Sequence, residues 1–539
     1  TGQELPELSQ PDTRLQPSVW SALDTLIRRS PIPFQLTAAC ILVLAASGVL
    51  AQQAEETAEA AEEGPYIPLG LENRPSAPRP AGDHAGSVEL GAAYVNEDHY
   101  MFGQYNGLNE DEATLIGHLQ WQSFNAAERY WRLSLSDMGL DTREGKLTWG
   151  RPDRLRIEAG FDSQQQVRND TGKTPFSGGD NQQLPDNWIS GVSTSDFATL
   201  DESLRGFDRK LDRDKLFAGI EMQLGESWSL RSNLSYEEKE GDGDIGGAIY
   251  TSLTSGDAVL LRAPVDYSTT EFDLGLSYSG GNLHLDGELA YSDFDNDDDL
   301  LTWQNPYSNF GPRVRYPEGT GGLGLAPDNE HMSGRLTGHY IFSSKTRLQF
   351  DGSYALTTQD QSYLDYTVNE ALIVTEPVPN SDYDGEVATG TFRTRLMLRP
   401  MAKMNAEIFY KLRDRDYDAD RDGYLYVRGD ASDQPDSAYK VYNTTNDLTE
   451  QSAGFEVDYR LPLRSKLTFG YEYEEVDRRN AAVEETEEDI YTLAYRIQPW
   501  SNFSARMQLQ YGDRAADTYQ WAQDYYALLD VELINATPD

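Results

Sequence analysis

The sequence contains a single cysteine, Cys40, among 539 residues. Cys40 lies in an apolar segment, Phe34–Leu50, that follows two arginines and precedes the small residue Ala51. This order is typical of a secretory signal peptide, so we expect residues 1–51 to be signal peptide and N-terminal excess. The alternative for this segment is a membrane anchor. Cleavage after Ala51 would leave no disulfide, no thiolate metal site and no haem attachment motif in the mature chain.

Long apolar runs and basic residues are also scarce. No second stretch resembles a helical membrane span, which excludes a helical bundle in the membrane. Lys and Arg number 45 against 90 Asp and Glu, so the formal net charge is −45. An acidic surface repels polyanions, and nucleic acid is therefore not expected as a partner.

Tyrosine is abundant, with 32 residues, and it marks alternating segments. The most regular alternation runs through two segments on either side of the turn Ser343–Lys345. One face is mainly apolar, which predicts that Leu336, Tyr340, Phe350 and Tyr354 face lipid. The opposite face is polar and predicts a lumen lining that contacts a partner, formed by Arg335, Thr337, His339, Arg347, Gln349 and Asp351. Two strands of about eleven residues match a membrane-spanning hairpin.

Similar hairpins recur along the chain, and their connectors fall into two classes. Short turns alternate with long acidic segments rich in Asp, Gly and Asn, at 237–257, 295–328, 359–385, 412–450 and 474–488. Short periplasmic turns and long extracellular loops are typical of outer-membrane barrels. The pattern predicts an all-β fold, a large transmembrane antiparallel up-and-down β-barrel of about 20 strands (18–24), with a last strand at Tyr525–Ile534. A soluble β-propeller is the weaker alternative, because its repeats would carry blade motifs.

The domain organisation follows from composition. Residues 52–85 are Ala/Glu-rich and then Pro-rich, which predicts a flexible periplasmic tail, and residues 86–539 form the barrel. Sec export would deliver the chain to the bacterial outer membrane. Twenty strands would enclose a lumen with a backbone diameter of roughly 40 Å, a size that leaves a channel or needs a plug. Because the short tail is no plug domain, we expect the lumen to hold another protein.

Residues of the types used in catalysis or metal binding do not occur in a recognisable catalytic or metal-binding motif. The six histidines have no metal-ligand spacing, and no catalytic triad, phosphate loop or nucleotide motif is present, so we expect no enzyme activity. Asp418, Asp420 and Asp422 resemble the start of a calcium-binding loop. Counted from Asp418, position twelve is Gly429 instead of the required Glu, so a solvated loop is the simpler interpretation and weak Ca²⁺ binding the alternative.

Several segments resemble the MtrB/PioB family of decahaem-associated outer-membrane proteins. They are Gly86–Gly91, Phe102–Leu108, Leu325–Thr367 and Glu487–Asp489. The resemblance covers the chain from about Gly86 to Tyr511 and is most specific in Leu325–Thr367. It implies a barrel that sheaths a periplasmic multihaem c-type cytochrome, with haem c carried by that partner and none bound covalently by this chain. An extracellular multihaem cytochrome is a further possible partner in such families.

Three departures from the family pattern accompany the resemblance. Some relatives carry C-x-x-C near the mature N-terminus, which this chain lacks; the chain is shorter than the longer relatives, and it ends without the usual terminal aromatic residue. The function implied is a conduit for extracellular electron transfer. The alternative, from another class, is a large diffusion or uptake porin.

Overall fold

The computed structural model describes residues 84–517 apart from 126–127, 251–255, 309–318, 370–373, 375, 420–421, 426–439, 443–444, 446, 480 and 482. The predicted signal peptide, nearly all of the predicted tail and the predicted strand Tyr525–Ile534 lie outside this range. The first strand begins at His84, two residues before the expected start of the barrel.

The described residues are nearly all in β-strands. A 3-10 helix spans Thr194–Asp196, and a four-residue helix, α1, spans Leu200–Ser203. The strands are β1 His84–Tyr94, β2 Ala113–Phe124, β3 Tyr130–Met138, β4 Glu144–Arg151, β5 Leu155–Thr174, β6 Asn181–Gln182, β7 Arg205–Leu224, β8 Trp228–Tyr250, β9 Gly256–Gly280, β10 Leu283–Asn296, β11 Leu300–Gln304, β12 Thr320–Gly324, β13 Asn329–Ser343, β14 Thr346–Ser362, β15 Asp382–Met401, β16 Met404–Asp418, β17 Gly423–Leu425, β18 Lys440–Tyr442, β19 Leu448–Leu461, β20 Ser465–Arg478, β21 Glu485–Trp500 and β22 Phe503–Ala516.

Seventeen of these strands form one antiparallel sheet in which each strand pairs with the next sheet strand along the chain. The five short strands β6, β11, β12, β17 and β18 lie outside it. The expected all-β, up-and-down antiparallel fold is therefore confirmed. Within the described residues, β1 pairs only with β2 and β22 only with β21. The seventeen described sheet strands alternate in direction, so β1 and β22 run in the same direction and antiparallel closure would require an odd number of further strands.

The short turns lie where the alternating pattern predicts them. Strands β7 and β8 are separated by Gly225–Ser227, and β13 and β14 by two residues, Ser344 and Lys345. Gly225 adopts a φ of 69°, a conformation that a residue without Cβ takes at little cost. Such tight turns set the register of each hairpin.

The predicted loop at 237–257 is wrong. Strand β8 continues to Tyr250 and pairs with β9 without interruption from Trp228↔Tyr278 to Tyr250↔Gly256. The Asp- and Gly-rich composition reports exposure to water and does not prevent strand pairing, because backbone hydrogen bonds form whatever the side chain. The other long connectors are also shorter than expected, since the flanking strands extend into them.

A buried apolar cluster joins the loop-side end of β9 to elements outside the large sheet. It is formed on the loop side by residues from β9, β11 and the neighbouring connectors: Phe176, Val259, Leu261, Leu301, Trp303 and Tyr307. Strand β11 pairs with β12 and, in parallel, with β6. Connectors from distant parts of the sequence thus pack into one small folded unit.

The large sheet exposes an apolar face. Leu336 is 48% exposed and Tyr354 60% exposed, which in water would be a large unfavourable apolar surface. Aromatic rings form rows along this face: Phe455, Tyr471, Tyr491 and Tyr511 follow one another across four strands with centroids 6.0, 5.2 and 6.4 Å apart.

A second aromatic pair, Trp500 and Phe503, lies beside the β21–β22 turn. Tyr491 and Trp500 are nine residues apart on β21, which gives about 30 Å along the strand and about 23 Å along the normal at a tilt of about 40°. This spacing matches the two aromatic girdles that flank the apolar band of an outer-membrane barrel, about 25 Å tall. In the described part of the chain, no helix is long and apolar enough to cross a membrane.

Candidate functional site: the polar inner face

The face opposite the apolar one is polar and is organised by strand register. In the β13–β14 hairpin, Thr337 lies opposite Asp351 and Leu336 opposite Gly352. Directly opposed residues in an antiparallel pair share a face. The register therefore places Arg335, Thr337 and Asp351 together, away from Leu336.

Arg335 and Asp351 form an ion pair across this hairpin. Nε and Nη2 of Arg335 donate to Oδ2 of Asp351 at 3.1 and 2.6 Å. The side chains are 56% and 30% exposed, so the pair contributes at most about 1 kcal/mol to stability. Arg335 thus has an ion-pair partner within the barrel wall, and its predicted contact with a second protein stays a prediction.

His339, Arg347 and Gln349, three more of the predicted contact residues, lie towards the turn side of the same strands. The His339 ring lies 5.3 Å from the ring of His284, its register partner on β10. The buried Nε of Arg347 has no hydrogen-bond partner among the described residues. Gln349, Asp351, Thr337 and His339 line a concavity of about 360 Å³.

Ion pairs of the same kind recur on the inner face of other strands. Each joins a basic and an acidic side chain on one strand or on nearby strands: Arg156–Glu158, Arg213–Glu237, Lys215–Glu271, Arg231–Asp286, Arg395–Glu407, Lys411–Glu472, Lys466–Asp458 and Arg514–Glu488. Hydrogen bonds from hydroxyl groups accompany some of them. Ser235 Oγ donates to Glu271 at 3.0 Å, and Ser452 Oγ donates to Glu472 at 2.9 Å. Many charged side chains of the inner face are therefore paired with one another.

Sequence reasoning missed one group on this face, a set of cations on β15 and β16. Arg393 and Arg395 alternate on β15, Lys411 and Arg413 alternate on β16, and Arg393 lies directly opposite Lys411. All four side chains are exposed. Arg393, Arg395 and Lys411 also line the 360 Å³ concavity, together with the predicted contact residues Gln349 and Asp351.

The calcium candidate is only partly within the described residues. Asp418 ends β16 and Asp420 is not among the described residues. The Asp422 carboxylate accepts a hydrogen bond from Asn380. Because β16 continues to Asp418, the start of the acidic run is strand and not loop.

A different acidic group lies at the loop ends of β20 and β21. Carboxylate oxygens of Glu475, Asp477 and Glu485 come within 4.8 Å of one another. Repulsion from Asp477, with some desolvation, raises the pKa of Glu485 above its usual value. No ion is needed to explain such a group, because exposed acidic residues commonly cluster on an acidic protein. It joins residues across two strands, so sequence spacing did not reveal it.

A long antiparallel meander with an apolar, aromatic-banded outer face and a polar, ion-paired inner face defines the class of outer-membrane β-barrels. Residues 94–528 match the family model of the outer membrane beta-barrel porin, MtrB/PioB. The chain belongs to this family, and it is an outer-membrane protein.

A curated relative is the outer membrane protein MtrB of Shewanella baltica (strain OS185). It is 24% identical over 447 residues, which cover 81% of this chain and 60% of the relative. The chain thus matches less than two thirds of the length of that protein.

Solved outer-membrane proteins show only distant likeness. The siderophore receptor PiuA from Acinetobacter baumannii is 11% identical, with a TM-score of 0.34. The match covers 80% of this chain and 62% of the receptor chain. A loop-deletion mutant of OmpT from Vibrio cholerae is 8% identical, with a TM-score of 0.23. The match covers 80% of this chain and 100% of the OmpT chain. At TM-scores this low, neither likeness defines a shared fold.

Proposed function

We propose that this protein is a non-enzymatic outer-membrane sheath that holds and insulates a periplasmic multihaem c-type cytochrome. Together they would form a transmembrane conduit for extracellular electron transfer. The haem would belong to the partner, which contacts the inner face. An extracellular multihaem cytochrome would be a second partner of the same conduit.

One observation carries the proposal, namely the extent of the polar inner face. The seventeen described sheet strands, at a spacing of about 4.8 Å and a tilt of about 40°, contribute about 107 Å of wall, which corresponds to a backbone diameter of at least about 34 Å in a closed barrel. Barrels of this size enclose a channel or a plug, not a core of side chains. A folded protein domain is an occupant of suitable size, and the family resemblance supplies its identity as a cytochrome.

Insulation would follow from the two faces of the sheet. The outer face would keep apolar side chains against lipid, while backbone N–H and C=O groups bond to the neighbouring strand within each ladder. A redox protein inside such a wall is separated from lipid by one layer of sheet. The wall itself needs no redox group, and this chain would have no cysteine for haem attachment after cleavage at Ala51.

The test is purification from native membranes followed by a haem stain and quantification of haem per barrel. We expect a haem-c protein to co-purify, and we expect the same barrel expressed without that partner to be haem-free. Recovery of haem-free barrel at full yield from cells that also make multihaem c-type cytochromes would refute the sheath.

A large diffusion or uptake porin is the second candidate, which the porin description of the family favours. In liposomes, such a porin would pass sugars freely when isolated from native membranes. The sheath with its partner in place would pass none, and it would pass them only after the partner is removed.

A further inference from the structure

We infer that the lumen carries a localised docking surface for an acidic protein surface, formed by Arg393, Arg395, Lys411 and Arg413, hereafter the basic patch. The inference rests on the proposed function, because the occupant is the luminal partner. It adds which wall holds that partner and which chemical groups it presents, namely the carboxylates of its surface.

The basic patch is unfavourable within this chain alone. Arg393 and Lys411 lie directly opposite each other on β15 and β16, an arrangement of like charges that destabilises a sheet. Arg395 and Arg413 continue the patch on the same face at the next alternate positions. Four cations therefore occupy neighbouring positions of two strands in a chain whose net charge is −45.

Among the described residues, ion pairs involve only two of the four cations of the basic patch. Arg395 pairs with Glu407 at 2.8 Å and Lys411 with Glu472 at 2.7 Å. Asp351, the register partner of Arg393, is bound to Arg335 instead. Glu450 is the register partner of Arg413 but forms no ion pair with it among the described residues. In the described part of the chain, Arg393 and Arg413 are therefore exposed and form no ion pair.

The shape of the wall at the basic patch suits contact with another surface. Three of its cations line the 360 Å³ concavity, next to Gln349 and Asp351. Arginine is suited to this role because its planar group binds carboxylates through two parallel hydrogen bonds. Complementary charge across an interface fixes the register of docking and steers the encounter.

The experiment compares two variants with the same change in charge. In Arg393→Gln/Arg413→Gln the lumen loses two positive charges at the basic patch. In Gln508→Glu/Gln510→Glu the lumen gains two negative charges on the inner face of β22, where both side chains are exposed. Haem per folded barrel is measured after washing native-membrane preparations at rising salt, with heat-modifiable gel mobility as the measure of folding.

We expect the basic-patch variant to fold normally and to release the haem protein at lower salt, with roughly a three- to ten-fold loss of bound haem at moderate salt. The β22 variant should stay near wild type. Equal loss in both variants would overturn the inference, because net lumen charge and not the basic patch would then matter. Wild-type barrel without any haem protein would instead refute the proposed function.

One other occupant and one other docking place have distinct outcomes. If deleting residues 52–83 removes the difference between the variants, the acidic tail of this chain occupies the basic patch, and the inference is wrong. If the basic-patch variant releases no more partner than wild type at any salt concentration while remaining folded, the partner docks elsewhere.

Discussion

Two stretches of the inner face, β7–β10 and β13–β16, differ in their balance of charge. The inward-facing positions of β7–β10, apart from the loop-side ends of these strands, carry four basic and six acidic side chains. They are Arg213, Lys215, Arg231 and Lys239, and Glu221, Glu237, Glu271, Asp273, Asp286 and Glu288. The inward-facing positions of β13–β16 hold Arg335, Arg347, Arg393, Arg395, Lys411, Arg413 and Arg415 against Asp351 and Glu407. One wall is slightly acidic, and the other has a clear excess of cations.

The difference separates stability from recognition. On β7–β10, Arg231 reaches both Asp286 and Glu288, and Ser277 donates a hydrogen bond to Asp286, so the charges there satisfy one another. Exposed pairs of this kind contribute little to stability. Each paired charge is already engaged by a neighbour in the same wall. On β13–β16, Arg393 and Arg413 form no ion pair with any described residue, so that wall is the one expected to bind.

The largest expected effect is on the stability of the folded barrel, and it comes from a substitution on the outer, lipid-facing side of the sheet. Leu336→Arg places a charge on the lipid side and should lower the stability of the folded barrel by about 2–4 kcal/mol. The matched control, Thr337→Arg, puts the same side chain on the inner face one residue away and should fold normally. Gel mobility with and without heating measures the folded fraction. Equal loss of folded barrel in both variants would contradict the assignment of faces.

The next effect tests whether Arg335 belongs to recognition or only to the wall. Arg335→Glu should leave folded barrel near normal but reduce haem per barrel several-fold, because repulsion replaces attraction to a partner carboxylate. The double variant Arg335→Glu/Asp351→Arg restores an ion pair across the hairpin with the charges exchanged. If the exchange also restores haem retention, Arg335 acts only through Asp351.

A smaller effect is expected on the balanced wall. Arg231→Ala should cost less than about 1 kcal/mol in unfolding, because its pairs with Asp286 and Glu288 are exposed to lumen water. A double-mutant cycle with Asp286→Asn, measured by urea unfolding in detergent at low and high salt, isolates the pair. A coupling that salt leaves unchanged would contradict this interpretation. Haem retention should not change in either variant.

The smallest effect concerns the acidic group at the loop ends of β20 and β21. The pKa of Glu485 is raised mainly by Asp477, so the folded state binds this proton more tightly than the unfolded state does. Resistance to unfolding should therefore fall as pH rises through the raised pKa. Glu485→Gln should flatten this dependence and slightly raise the melting temperature at neutral pH. A steeper pH dependence of stability in the variant would contradict the raised pKa of Glu485 in the folded state.

Much of the fold could be predicted from alternation alone. Strand faces have a period of two, so the pattern around Leu336 and Phe350 gave both the hairpin and its apolar side. Loop length could not be predicted in the same way, because residues such as Asp242 and Gly243 are hydrophilic and yet remain paired in β8. Residue composition indicates whether a segment is exposed to water, but it says little about whether the backbone of that segment is paired in a sheet.

The basic patch could be predicted only in part. Alternation places Arg393 and Arg395 on the face opposite Phe392, and Lys411 and Arg413 on the face opposite Tyr410. The contact between Arg393 and Lys411 depends on register, however. The pairing shifts by one residue between Leu398 and Met401, next to the turn. Extrapolation from the turn would therefore have set Arg393 opposite a residue of the wrong face. The Arg335–Asp351 pair follows from register as well.

The meander has a consequence for how the chain assembles. Each ladder joins strands that follow one another in the sheet, so contact formation proceeds through neighbours of modest sequence separation and can advance hairpin by hairpin. A growing sheet of this kind always has two unpaired edges, whose N–H and C=O groups lipid cannot satisfy. Joining the edges is then the last and most distant contact of all. The proposed cytochrome partner would enter the lumen most easily before that step. On the proposed function, we therefore predict that cytochrome capture and barrel closure are coupled in time.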